Sequence, residues 1–125
     1  MEQGLAAAPY SVAECYQDGT GVEENAQEAV RWYHLAGGQN HAGAQRNLGV
    51  CYHHGTGVEK NEREAVRWYR LAANQGDAGG QYYLGECYDY GVGVERNMQE
   101  AVGWYRLAAD QGDSTAQGRL KSLNV

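Results

Sequence analysis

The chain repeats itself every 36 residues, and that period constrains the fold more than any other feature. Cys15-Tyr16, Cys51-Tyr52 and Cys87-Tyr88 lie in phase, as do Trp32-Tyr33, Trp68-Tyr69 and Trp104-Tyr105. Between them runs a Gly-x-Gly-Val-Glu segment, from Gly19, Gly55 and Gly91, followed by Asn-x-x-Glu-Ala-Val from Asn25, Asn61 and Asn97. When His41–Gly76 is laid over Asp77–Gly112, about 23 of 36 positions are identical. Units this short cannot bury an apolar face alone, so they must stack on one another.

Each unit reads as two helices. Ala44, Leu48, Cys51 and Tyr52 recur at i, i+4, i+7 and i+8, one face of a helix. Gly55 ends that helix, since glycine accepts the left-handed conformation, and Gly57 lets the loop turn again so that Val58 can plug back into the core. Asn61 opens the second helix as an N-cap, with Glu64 placed to close a capping box; Asn25/Glu28 and Asn97/Glu100 repeat it. Ala65, Trp68, Tyr69 and Ala72 form the second apolar stripe. Gly76 and Gly112 end that helix, and Asn40 holds the same place in the first copy. The expected helices are 5–17, 26–38, 42–53, 62–74, 78–89, 98–110 and 114–123. The last begins a fourth unit and stops, a polar half-repeat that covers the end of the stack, with Lys121 where Gly49 and Gly85 stand.

At 125 residues one domain, 1–125, is expected, with repeats over 5–40, 41–76 and 77–112 and a terminal half-repeat over 113–125. The net charge of −6 argues against nucleic acid, whose phosphates need a basic surface, and against an anionic membrane surface. A basic or mixed-charge protein or peptide suits it better. No run nears the roughly 18 apolar residues of a membrane span, and Met1 to Tyr10 lacks the features of a signal peptide.

The strings Leu-Gly-x-x-Tyr-x-x-Gly-x-Gly-Val and Glu-Ala-x-x-Trp-Tyr-x-x-Ala-Ala-x-Gln-Gly, best seen from Leu84 to Gly112, resemble the Sel1-like repeats, relatives of the tetratricopeptide repeats. The first copy departs from the pattern, with Val12-Ala13 for Leu-Gly and Pro9 within the first helix. The resemblance implies an all-α, right-handed α-solenoid of three helix–loop–helix repeats plus a capping helix. It also implies an adaptor or scaffold that offers partners a groove, with the first helix of each pair on the concave face. Positions that vary between copies on that face are then the informative ones. They are Tyr10, Glu14, Gln17 and Asp18; Arg46, Val50, His53 and His54; and Tyr82, Glu86, Asp89 and Tyr90. The third copy combines rings with carboxylates, which suits a Lys- or Arg-bearing peptide. The alternatives are a structural spacer, or a scaffold that self-associates end to end. An enzyme or small-ligand receptor is less favoured; its mark would be His53 or His54 meeting Glu86.

Site chemistry finds little support in the sequence. Equivalent cysteines in stacked repeats stand about 10 Å apart, too far for a disulfide, whose Cα atoms lie within about 7 Å. Cys15, Cys51 and Cys87 therefore read as apolar filler, unlike the paired cysteines of the secreted, cysteine-rich relatives, and a cytoplasmic setting is expected. Those relatives have been associated with β-lactam binding, but Ser11, Ser114 and Ser122 are not followed by the Lys of a Ser-x-x-Lys motif. His53 and His54 are adjacent and cannot share one ion as i, i+4 ligands do. The Gly-x-Gly loops lack the strand and lysine of a phosphate loop, and position 12 of a calcium loop starting at Asp18 would be Ala29. No metal and no cofactor is implied.

Overall fold

The computed structural model describes residues 2–125, with seven helices and no strand among them. They are α1 (Glu2–Asp18), α2 (Ala26–Gly38), α3 (Ala42–His54), α4 (Glu62–Asn74), α5 (Ala78–Tyr90), α6 (Met98–Asp110) and α7 (Ser114–Leu123). Each follows the expected boundaries closely, with Pro9 inside α1 as expected, except that α1 starts earlier, at Glu2.

The helix ends follow the cap chemistry. Asn25, Asn61 and Asn97 each accept the amide of the residue three positions on, at 3.1 Å. The return arm of the capping box is not made. Glu28 pairs with Arg31, Glu64 with Arg67, and Glu100 accepts the indole N–H of Trp104. His41, Asp77 and Asp113 cap α3, α5 and α7 in the same way. Asn40 takes the left-handed conformation at φ 72°, as Gly76 does at 90° and Gly112 at 95°.

Within each repeat the two helices pack around a tyrosine. Tyr33, Tyr69 and Tyr105 are the largest fully buried side chains, doing in this Phe-free chain what phenylalanine does elsewhere. Glycine at 49 and 85 makes room for the ring. A Cβ on Gly49 would sit 2.4 Å from Tyr69, and one on Gly85 2.8 Å from Tyr105. Leu48, Leu84 and the buried alanines fill the remaining space.

Repeats join through contacts that recur with the period. Gln45, Gln81 and Gln117 each donate to the second helix of the preceding repeat, at Gly37, Ala73 and Ala109. Gln75 and Gln111 donate to Gln45 and Gln81 at 2.8 and 2.9 Å, extending the ladder. The loops dock too: Val58 packs against the first core cluster and Val94 against the second. A Cβ on Gly57 would meet the Ala26 carbonyl oxygen at 2.4 Å, so only glycine allows that approach. Val22, at the same place in the first repeat, is 40% exposed. α3 touches α5 directly, while α2 reaches α4 through the His34 and Trp68 rings.

Candidate partner-binding surface

The first-helix residues expected on a binding surface divide into two groups. Some are occupied at the junctions between repeats. Tyr10 stacks on His41 with ring centroids 4.2 Å apart. At the equivalent junction Arg46 forms an ion pair with Asp77 at 3.1 Å, its stem lying over Gly79. Within the first repeat, Gln17 accepts the hydroxyl of Tyr33.

Asp89 departs from the expectation of a surface carboxylate. It is 1% exposed. Its carboxylate accepts the Tyr105 hydroxyl at 2.7 Å and a two-pronged contact from Arg119 of α7 at 2.7 and 3.0 Å. The bonds from Arg119 hold its pKa below the ordinary value; burial opposes them, and the Tyr105 bond assists. Asp89 is thus the latch that ties α7 to the third repeat, and it has no free oxygen face to offer a partner.

The second group remains accessible. Glu14 and His54 are exposed, and Val50, His53, Tyr82 and Glu86 are half-buried. Tyr90 is 60% exposed, and the Arg119 guanidinium lies 5.4 Å from its ring centre. The Tyr82 hydroxyl donates to Glu86 at 2.8 Å, fixing both side chains. Burial, then the bond to Glu86, pushes the Tyr82 phenol up, so it stays a donor. His53 stacks on His54 at 4.7 Å; desolvation, then the neighbouring ring, lowers its pKa. The Glu86 oxygen Oε2 is engaged by Tyr82. No group of three or more His, Cys, Asp or Glu side chains among the described residues is arranged to hold a metal ion.

The cysteines are free: Cys51 and Cys87 are buried and Cys15 is half-buried. Burial is the main cause that pushes the Cys87 thiol up to about 12, with Glu86 second. It raises Cys51 as well, so both behave as apolar filler. No helix among the described residues is long and apolar enough to cross a membrane.

Sequence reasoning missed the glutamine ladder and the clasps linking residues 30 or 31 positions apart. A signal was present, because Gln45, Gln81 and Gln117 recur with the period, but their partners lie in other repeats.

Comparison with known proteins agrees with this architecture. The Sel1 repeat family model matches residues 6–41, 42–77 and 78–113. A Sel1 repeat protein from Oxalobacter formigenes superposes with a TM-score of 0.86 at 45% identity, over 89% of this chain and 46% of that one. The protective antigen c5321 of uropathogenic Escherichia coli, with an SLR fold, gives 0.91 at 40% identity, over 99% and 27%. Helicobacter pylori cysteine-rich protein B gives 0.78 at 27% identity, over 92% and 89%. The chain thus spans less than half the length of the first two. Among curated protein sequences, none matches the chain significantly. With three consecutive units matched and their helices stacked as described, the chain belongs to the Sel1 repeat family.

Proposed function

We propose that this domain is a non-enzymatic interaction module that holds a basic segment of a partner protein on its first-helix surface, centred on the third repeat. The observation that carries this reading is the trio Tyr82, Glu86 and Tyr90. It joins a well-exposed ring to a ring and carboxylate fixed by their own hydrogen bond. Aromatic anchors held in place cost little entropy on binding. Carboxylates nearby, on a chain of net charge −6, draw in cations. The three free cysteines at one packing position favour a reducing, cytoplasmic setting.

The test compares wild type with Tyr82→Ala/Glu86→Lys/Tyr90→Ala in capture from host lysate, after thermal melts show equal stability. A partner held by wild type and lost by the variant supports the assignment. Capture by both moves the site to the second-helix side or the ends. Capture by neither favours the spacer reading, and light scattering then tests for self-association.

A further inference from the structure

Helix α6 keeps nine of the 13 residues of α4, and one of its four differences falls within the cluster that α4 builds around its tryptophan. In α4, Arg67 donates from Nε to Glu64 at 3.2 Å and lays its guanidinium 4.9 Å from the centre of the Trp68 ring. Glutamate, arginine and tryptophan thus form one cluster on the outer side of Trp68, whose other side packs in the first core cluster against His34. In α6 the glutamate and tryptophan return as Glu100 and Trp104, but Gly103 replaces the arginine. Trp104 is half-buried, and Glu100 accepts its indole N–H at 3.2 Å. A cleft of about 340 Å³ opens there, lined by Asn97, Gln99, Glu100, Gly103, Trp104 and Leu107. A Cβ on Gly103 would meet nothing within 4 Å.

We propose that this cleft is a guanidinium site. An arginine side chain of a partner protein enters over Gly103, lies on the Trp104 ring and pairs with Glu100. It thereby reproduces between two chains what Arg67, Trp68 and Glu64 make within one. The planar guanidinium suits the site better than an ammonium, because it stacks on the indole while its edge reaches the carboxylate. Arg106 lines a separate hollow on the other flank of Gly103, with Met98 and Val102. The charge facing the tryptophan side is that of Glu100. The site lies on a second helix, so it stands independently of the surface proposed above.

The probe is N-acetyl-arginine methylamide, titrated at constant ionic strength while the three indole N–H resonances are followed by ¹⁵N NMR. Neutral N-acetyl-citrulline methylamide is the control. The Trp104 resonance is expected to move saturably, with half-effect on the order of tens of millimolar, as befits one exposed cation–π contact and one ion pair. Trp68, already covered by Arg67, stays put, and citrulline moves Trp104 several-fold less. Glu100→Gln weakens the response. Gly103→Arg abolishes it by filling the cleft from within; Arg31 and Arg67 hold the same position, and a thermal melt checks that the variant folds. A flat titration, an equal response to citrulline or at Trp68, or a response that survives Gly103→Arg overturns the proposal.

Discussion

Tyr33, Tyr69 and Tyr105 occupy one repeat position at 0%, 1% and 0% exposure, yet their hydroxyls meet three different environments. Tyr33 donates to Gln17 and Tyr105 to the Asp89 carboxylate. Tyr69 finds no hydrogen-bond partner among the described residues, because His53, the counterpart of Gln17 and Asp89, stacks on His54 instead. Replacing each tyrosine with phenylalanine keeps the ring and removes only the hydroxyl. Losing a bond to a charged acceptor costs about 1.5–3 kcal/mol, and Arg119 still serves Asp89, so Tyr105→Phe falls at the lower end. Tyr33→Phe loses a neutral bond, about 1 kcal/mol. Tyr69→Phe removes a buried polar group without a partner and is expected to be neutral or to stabilise by up to about 1 kcal/mol. In a domain of this size 1 kcal/mol moves Tm by roughly 3–6 °C, so the order is resolvable by thermal melts and urea titration at pH 7. His53→Gln, which copies the first repeat, should stabilise wild type but leave Tyr69→Phe unchanged. Equal losses at all three sites, or a Tyr69→Phe loss as large as that of Tyr105→Phe, would refute the reasoning.

Four further outcomes are expected. Trp68→Ala, at the middle of the stack, should cost about 3–5 kcal/mol, and Trp32→Ala and Trp104→Ala less, since both are only half-buried; denaturant titration ranks them. Gly49→Ala drives a methyl into the Tyr69 ring and should cost about 1–3 kcal/mol, whereas Gly103→Ala, with open space, should gain about 0.5–1 kcal/mol from helix propensity; melts of both decide it. A disulfide reagent should label half-buried Cys15 first, with Cys51 and Cys87 slower by orders of magnitude, as mass spectrometry of timed samples would show. Asp89 has a folded pKa below its ordinary 3.8, so its stabilisation is complete above that value and is lost as pH falls through the folded pKa; urea titrations from pH 7 to pH 3 should show a shallower acid slope in Asp89→Asn.

What could be read from the chain was what repeats locally. Asn61 caps α4 and Gly55 turns the chain because both act within a few residues of themselves, and three copies removed the ambiguity of one. The contacts that join repeats were hidden for the opposite reason. Arg46 meets Asp77, and Asp89 meets Arg119, only after helices in different repeats have packed. Asp89 therefore looked like one more polar residue on a helix, although its face turns towards Tyr105. The return arm of the capping box failed on competition: a carboxylate at the start of α2 or α4 finds arginine one turn on, and the one in α6 finds an indole N–H.

Much of the variation between repeats on the first helices therefore has an internal cause. Where Tyr10 faces His41 the junction is a ring stack, and where Arg46 faces Asp77 it is an ion pair. A change on one side requires a matched change 31 residues on, with no partner involved. The clasp around each buried tyrosine obeys the same rule: Asp89, Tyr105 and Arg119 form one charged set, while Tyr83, at the position equivalent to Arg119, stacks on Tyr69 of the second repeat with centroids 5.1 Å apart. Once those positions are set aside, Glu14, Asp18, His54 and Glu86 are the places where the choice of residue is least bound by a neighbouring repeat, while Val50 packs against the second core cluster and Tyr90 lies beside Arg119 of α7. Among these, Glu86 is the carboxylate whose geometry is already fixed, by Tyr82, and it lies one turn from the exposed Tyr90 ring. That remainder, and not variability alone, favours the third repeat as the proposed partner surface.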